Sequence, residues 1–210
     1  SACLVGSEMC IRDSPKGVPI SAIIFGGRRT HLIPLVMESF DWQNGIFLGA
    51  RMGSETTAAA IHKVGVLRRD PMAMLPFCGY NMADYFRHWL NIGKRLSNPP
   101  KIFSVNWFRV NDNGEFIWPG FRENIRVLKW IVDRVNKRIQ AKETPIGLIP
   151  HLEDLDSEGL SVPKEKLKKL FEVKFEEWHS ELNDIQKFLK QFGKRLPEEL
   201  WQECKRKVTK

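Results

Sequence analysis

Three short apolar runs, each followed by a polar or glycine-bearing turn, lie between about residues 17 and 120. They are Ile20 to Phe25, Gly45 to Ala50 and Lys101 to Phe108. Runs of this length, bounded by turn residues, are typical of buried strands. We therefore predict a strand at each of the three.

From Phe121 onward, apolar residues recur every three or four positions, as on one face of a helix. One such stripe, predicted to face the core, contains Ile125, Leu128, Ile131, Val132 and Val135. A second begins near Pro163, ends at Gly193 and contains Leu167, Leu170, Phe171, Trp178, Leu182, Ile185 and Leu189. Prolines, glycines and acidic residues predict a loop from Thr144 to Pro163. The pattern indicates a mixed α/β fold, with strands first and helices after about residue 121.

The composition is that of a globular chain: 210 residues, 42% hydrophobic and 28% charged, which excludes disorder and collagen. The longest stretch without a charged residue, Pro71 to Ala83, is well short of the roughly 20 apolar residues of a membrane span. Ser1 to Ser14 lacks the features of a secretory signal and does not begin with Met. We expect the chain to start partway through a longer protein.

Charge and metal-ligand residues are spread along the chain. The net charge of +8 is not concentrated in a tail, which disfavours a basic arm for nucleic acid. The four cysteines, Cys3, Cys10, Cys78 and Cys204, have no C-x-x-C spacing, so a reducing compartment is the default. The five histidines form no ligand motif. We expect no metal site built by this chain alone.

A Gly-Gly-Arg-Arg sequence, Gly26 to Arg29, directly follows the first predicted strand. Paired glycines allow close approach of a backbone to an anion, and an arginine can grip phosphate oxygens bidentately. Arg28 and Arg29 are therefore candidate phosphate clamps. The alternative, a tight turn with two surface arginines, is favoured by the motif taken alone.

The segment Ser54 to Lys63 is rich in small residues and is flanked by Gly49, Gly53 and Gly65. Such a segment suits a lid, because little apolar burial holds it in one state. The alternative is a short Ala-rich helix with Ser54 as its N-cap, and spacing alone favours it.

Five aromatic residues occur between Trp107 and Phe121, and Asn124 follows them. Their rings could stack on a base, and Asn124 could hydrogen-bond its edge. Aromatic clusters are more often core, but the Pro-Gly turn after Trp118 predicts that these rings lie on loops. The chain has neither a G-x-x-x-x-G-K-S/T loop nor a G-x-G-x-x-G motif. The residues alone predict a nucleotide- or phosphate-binding α/β piece.

Together and in this order, these features resemble the C-terminal part of GTP-dependent phosphoenolpyruvate carboxykinases. The matching runs are GVPISAIIFGGRR (17–29), SETTAAAIHK (54–63), DPMAMLPFCGYN (70–81) and VNWFR with FIWPGFREN (105–124). The resemblance covers Gly17 to the last helix, about the final third of such an enzyme. It implies the mononucleotide-binding domain of the family over residues 17–210. Residues 1–16 would be an unmatched leader, attached by cloning or misassembly.

The resemblance implies a reaction in which oxaloacetate and GTP give phosphoenolpyruvate, carbon dioxide and GDP, as in gluconeogenesis. Arg28 would be the catalytic arginine that contacts the transferring phosphates. Phe108 and Phe121, with Phe116 beside them, would hold guanine. The turn with Arg122, Glu123 and Asn124 would bind its edge, Asn124 favouring GTP over ATP. The mobile lid would contain Thr57, Ala58, Ala59, Ala60, Ile61, His62 and Lys63, shielding an enolate from water.

Several positions depart from the family pattern. Arg122 stands in place of a glycine, and the lid lacks a Glu at Ile61 and a Lys at Val64. Other departures are Gly53 and Leu75 in place of arginines and Cys78 in place of a phenylalanine. These changes put turnover and lid closure in question.

The family's phosphate loop, metal ligands and reactive cysteine would all precede this chain. The implied cofactor, Mn²⁺ or Mg²⁺, would therefore be held mainly by other residues, and the chain alone is expected to be inactive. The alternative function is a non-catalytic module that binds nucleotide or nucleic acid. The leading interpretation implies no nucleic acid or membrane partner, a monomer, and a cytoplasmic location, with the mitochondrial matrix as the alternative.

Overall fold

The computed structural model describes residues 17–57 and 64–206. A five-stranded sheet contains β1 (Ala22–Gly26), β2 (Val36–Glu38), β5 (Lys101–Val105), β6 (Lys142–Thr144) and β7 (Gly147–Ile149). The order of the strands in this sheet is β1-β5-β2-β7-β6. Strands β1 and β5 are parallel, and the other pairs are antiparallel. A separate antiparallel pair joins β3 (Gly53–Glu55) to β4 (Leu67–Arg69).

Six α-helices accompany the strands in the described part of the chain. They are α1 (Trp42–Ala50), α2 (Met82–Gly93), α3 (Asn124–Val135), α4 (Lys164–Leu170), α5 (Phe175–Lys190) and α6 (Glu198–Lys205). Short 3₁₀ helices lie at Pro71–Ala73, Leu75–Phe77, Leu152–Asp154 and Gly193–Arg195. None of the described helices is long and apolar enough to cross a membrane.

Among the residues that the structure describes, apolar side chains form two core clusters. Neighbouring residues of β5 belong to different clusters, since Phe103 packs with Trp130 of α3 and Ile102 packs with Phe86 of α2. Helix α5 joins both, because Trp178 lies in the first cluster and Ile185 in the second. The core therefore holds α5 in place across the molecule.

The predicted strand at Gly45 to Ala50 is wrong, because this run lies in helix α1. Asp41 caps the helix by accepting a hydrogen bond from the Asn44 backbone N–H at 2.7 Å. A Cβ on Gly45 would lie 2.5 Å from Ile102, and one on Gly49 would lie 2.8 Å from Phe25. The glycines thus let this helix approach the sheet closely. Helices α1 and α2 both precede residue 121, so the prediction that helices follow only after about residue 121 is wrong.

The predicted inward face of α3 is correct for Ile131, which is buried, and for Val135, which packs against the first core cluster, but wrong for the rest of the face. The buried residues of this helix are Val127, Trp130 and Ile131, whereas Ile125 and Val132 are 65% and 51% exposed. Helix α3 therefore has two apolar faces, and only one of them packs on the described core. A count of apolar spacings cannot distinguish them, because both faces satisfy the helical period.

The two faces of α3 should respond differently to mutation. We expect Ile131→Ala to lower the free energy of unfolding by about 2 kcal/mol or more, because it opens a cavity. Val132→Thr should change it by less than about 0.5 kcal/mol, because this side chain is half exposed. Urea denaturation of both variants measures the difference, and equal losses would contradict the assignment of faces.

The second predicted stripe is divided between helices α4 and α5, and most of its residues are buried. The predicted loop from Thr144 to Pro163 is only partly a loop. It contains the β6–β7 turn, where the Thr144 hydroxyl donates to the Gly147 carbonyl at 2.6 Å. Gly147 has a φ of +149°, a conformation that glycine adopts readily. Strands β6 and β7 therefore form a hairpin at one end of the five-stranded sheet.

Candidate functional site

The candidate site lies at the carboxyl ends of parallel strands β1 and β5, where Gly26 pairs with Val105. A cavity of about 360 Å³ opens there, lined by Gly26, Gly27, Arg28, Ser54, Val105, Trp107 and Phe108. Ligands of α/β sheets gather at such strand ends. The first three residues of the Gly-Gly-Arg-Arg motif therefore line a ligand-sized opening.

The two glycines of the motif serve close packing. A Cβ on Gly27 would lie 2.6 Å from the Gly53 carbonyl oxygen, so any larger residue would push the backbone of β3 away. Two hydrogen bonds, one from the backbone N–H of Arg28 and one to its carbonyl, join this residue to β3. Its N–H donates to Ser54 Oγ at 3.1 Å, and its carbonyl accepts the Glu55 N–H at 2.8 Å. Ser54 lies in β3 and is not the cap of a helix.

Arg28 lies against an aromatic ring. Its guanidinium carbon is 3.9 Å from the centroid of Phe108, a cation–π contact. Phe108 in turn contacts Phe116 edge to face, with ring centroids 5.9 Å apart. The structure thus brings together three of the predicted site residues. Within the described residues Arg28 has no ion pair, so the edge of its guanidinium is available to an anion.

Arg29 is not a free phosphate clamp. It makes two hydrogen bonds to Glu181 of α5, at 2.8 and 2.9 Å. Arg69 of β4 donates to the same carboxylate at 2.9 Å. Burial would raise the pKa of Glu181, but the hydrogen bonds and charges of Arg29 and Arg69 outweigh it and hold the pKa at about 2. Arg29 therefore anchors the motif to a helix.

Asn106 joins the loops that follow β1 and β5. Its side-chain amide donates to the carbonyls of Arg29 and Ile33 at 2.9 and 3.0 Å. Its Oδ1 accepts the N–H groups of Arg29 and Phe108, each at 3.2 Å. This fully bonded, buried side chain fixes Arg28 and Phe108 relative to each other.

The turn with the remaining predicted nucleotide-binding residues lies before α3. Phe121 is 92% exposed and makes no ring contact within the described residues, and Arg122 is also exposed. Glu123 forms an ion pair with Arg126 of α3. Asn124, the first residue of α3, accepts a hydrogen bond from Trp118 Nε1 at 2.8 Å. Phe121 is therefore not packed against the pair of Phe108 and Phe116.

The five aromatic residues lie outside the helices and named strands, as predicted, but Trp118 is nevertheless a core residue. Its side chain is 1% exposed and belongs to the first core cluster, whereas Phe116 is 58% exposed. Phe116 thus faces the solvent, whereas the next two residues, Ile117 and Trp118, lie in the core. Trp118 is a core residue whose indole N–H donates to a predicted nucleotide-binding residue, Asn124.

The predicted lid is attached to the β3–β4 pair, in which Ser54 lies opposite Arg68. At the base of the connection, the Thr56 N–H donates to the Val66 carbonyl at 3.0 Å, and the Gly65 N–H donates to the Thr56 carbonyl at 2.9 Å. Thr57 is described, whereas Ala58, Ala59, Ala60, Ile61, His62 and Lys63 lie outside the described residues. The described residues on either side of the predicted lid are therefore joined by hydrogen bonds, and the β3 strand before it contacts the backbone of Arg28.

A divalent metal ion does not fit the described residues as a resident group. Within residues 17–57 and 64–206, no three His, Cys, Asp or Glu side chains come together in a way that could hold a metal ion.

Comparison with known proteins gives the family. The sequence model of the family described as phosphoenolpyruvate carboxykinase C-terminal P-loop domain matches residues 8–210. The chain belongs to this family. The resemblance stated from the sequence is confirmed, and the origin of the first residues stays a prediction.

Three relatives illustrate the similarity, and each carries the name phosphoenolpyruvate carboxykinase (GTP). The protein of Thermoplasma volcanium is 57% identical over 191 residues, which is 91% of this chain and 32% of the relative. That of Anaeromyxobacter dehalogenans is 53% identical over 188 residues, 90% of this chain and 32% of the relative. That of Chlamydia muridarum is 51% identical over 195 residues, 92% of this chain and 33% of the relative. The chain thus spans about a third of the length of these relatives.

Four residues hold the candidate site in place, and the sequence alone does not predict that role for them: Ser54, Arg69, Asn106 and Glu181. For Glu181 a signal exists. It lies between Trp178 and Ile185, at the three- and four-residue spacing of the buried stripe of α5. A charged residue at a core position requires a partner, and this one has two arginines.

Arg122 adopts a backbone conformation that favours glycine, with a φ of +77°. The family glycine expected at this position would adopt it without strain. We expect Arg122→Gly to raise the free energy of unfolding by about 0.5–1 kcal/mol in thermal denaturation. The matched control, Lys129→Gly inside α3, should lower it. A loss of stability in Arg122→Gly would contradict this interpretation.

Proposed function

We propose that this chain is the nucleotide-binding part of a phosphoenolpyruvate carboxykinase that uses GTP. The reaction converts oxaloacetate and GTP into phosphoenolpyruvate, carbon dioxide and GDP. One observation carries the proposal: Arg28 stacks on Phe108 at the wall of the cavity where β1 and β5 end. The names of the relatives support the choice of reaction.

Arg28 is the proposed catalytic residue. The face of its guanidinium rests on Phe108, which leaves the N–H groups at its edge to donate to phosphate oxygens. Its backbone is fixed by Ser54 and Glu55, so little entropy is lost when a phosphate binds. A fixed positive charge at this point stabilises the negative charge that develops during phosphoryl transfer.

The aromatic residues form the proposed guanine site. Phe116 and Phe121 expose large ring surfaces, which is unfavourable in water and is relieved when a base covers them. Phe108 provides a third ring beside Arg28. Arg122 and Glu123 are assigned to the rim of this proposed site, and Asn124 to the edge of the base.

The residues from Thr57 to Lys63 are the proposed lid. Because their stem packs directly on the backbone of Arg28, closure would cover the transferring phosphate and exclude water. An enolate formed by decarboxylation would then not be protonated before it takes the phosphoryl group. The Mn²⁺ or Mg²⁺ ion and oxaloacetate are assigned to other parts of the full-length protein.

A chimera tests the proposal. Residues 17–206 of this chain would replace the matching segment of the Thermoplasma volcanium protein, with circular dichroism as the check on folding. We expect metal-dependent formation of phosphoenolpyruvate from oxaloacetate and GTP, and none from the 210-residue chain alone. A folded but inactive chimera, beside an active parent, would contradict the proposal and favour a non-catalytic binding module.

The proposal also carries the expectations on partners and location. GTP and GDP are the expected ligands, the protein is expected to be a monomer, and nucleic acid and membranes are not expected partners. The expected location is the cytoplasm, with the mitochondrial matrix as the alternative. Binding of single-stranded nucleic acid would fall steeply with salt, whereas a site for one nucleotide would depend on it much less.

A further inference from the structure

The hydrogen bond between Trp118 and Asn124 determines which side-chain atom Asn124 presents. An indole nitrogen only donates, so its partner in Asn124 has to be the oxygen of the amide. Trp118 is fully buried and cannot move away. The amide of Asn124 is therefore held in one of its two orientations.

The backbone of Asn124 is fixed as well. Its N–H donates to the Gly120 carbonyl at 3.1 Å, and the residue begins helix α3. Within the described residues no hydrogen bond uses the amide nitrogen Nδ2. Asn124 thus offers two N–H donors from a position that neither its backbone nor its side chain can readily change.

A donor at this point distinguishes two classes of purine. Guanine and hypoxanthine carry an acceptor, O6, where adenine carries the N6 amino donor. An asparagine that is free to rotate by 180° could serve either class, because its oxygen can accept from an amino group. With the amide held in this orientation, a 6-aminopurine would place its N6 amino group against Nδ2, and these two donors would both be left without a partner.

We propose that Trp118 is a positioning residue that makes the site select 6-oxopurine over 6-aminopurine nucleotides, by fixing the amide of Asn124. This inference rests on the proposed function of the site as a purine nucleotide pocket. Trp118 itself touches no nucleotide. It acts by removing the rotational freedom through which Asn124 would accept adenine.

The test uses calorimetric titrations of the chain with GDP, IDP and ADP. In the wild-type chain, we expect GDP and IDP to bind about 10- to 100-fold more tightly than ADP. Trp118→Phe keeps a ring of similar shape and removes the N–H. We expect its preference for GDP over ADP to fall to within about threefold. If Trp118 had only a structural role, Trp118→Phe would lower the affinities for all three nucleotides by the same factor.

Trp130→Phe is the matched control. Trp130 is also 1% exposed and lies in the same core cluster, but its Nε1 has no partner in the described structure. This variant should keep the wild-type preference. If Trp118→Phe also keeps it while GDP still binds, the inference is overturned and the proposed function stands. If the wild-type chain binds none of the three nucleotides, both are overturned.

A second variant covers the case in which Trp118→Phe does not fold. Asn124→Asp keeps an acceptor for the Trp118 N–H and replaces the free amide nitrogen with a second oxygen. We expect the affinities for GDP and IDP to fall, and ADP to bind at least as tightly as GDP. An unchanged preference for GDP in Asn124→Asp would show that the Asn124 amide does not read the base, which also overturns the inference.

Discussion

Replacing Glu181 with glutamine is expected to lower the free energy of unfolding by about 3–5 kcal/mol. The substitution keeps the shape of the side chain but leaves Arg29 and Arg69, both largely buried, without the charge that they share. The matched control is Glu177→Gln on the same helix, where an exposed carboxylate pairs with Lys174 and little change is expected. Urea denaturation at pH 7 measures both, and equal effects would contradict the account.

The same residue predicts how stability depends on pH. The pKa of Glu181 is lowered from 4.5 to about 2, so its contribution is fully present above about pH 4.5. It is lost as the pH falls from about 4.5 towards 2, because the unfolded state takes up the proton first. A shift of this size corresponds to about 3 kcal/mol. Stability curves of the wild type and Glu181→Gln should therefore converge in acid, and parallel curves would contradict the assigned pKa.

The second large effect is expected at Arg28. In the active chimera, Arg28→Met should lower kcat by about 10²- to 10³-fold, because the fixed charge acts on the transition state. The KM for oxaloacetate should change much less. Arg138→Met removes an exposed arginine of similar size and should leave kcat unchanged. An Arg28→Met chimera with wild-type kcat would exclude Arg28 from the chemistry.

The parts of the fold that could be predicted from the sequence are those in which one local pattern suffices. The apolar run ending at Phe25 covers all of β1 except Gly26, and the run ending at Phe108 contains β5. The stripe after Pro163 lies on α4 and α5. Helix α1 could not be predicted, because its apolar residues face the core on all sides and glycines allow its close approach. Periodicity does not separate such a helix from a buried strand.

The site divides in the same way. Arg28, Phe108 and Phe116 were candidates from their residue types, and the structure brings them together. What positions them could not be predicted, since Arg29 and Glu181 are 152 residues apart and Arg29 and Asn106 are 77 apart. Such pairs depend on the tertiary fold. They also explain why one arginine of the motif faces the cavity and the other is held by a helix.

The most direct test of the central claim is a titration of the 210-residue chain with GDP, followed by calorimetry and tryptophan fluorescence. Trp107 lines the cavity beside Arg28, whereas Trp118 is buried in the core. We predict weak, saturable heat release and quenching of emission, with the quenching lost and the heat retained in Trp107→Phe. A titration that shows neither heat nor quenching would contradict a preformed guanine nucleotide site at the ends of β1 and β5.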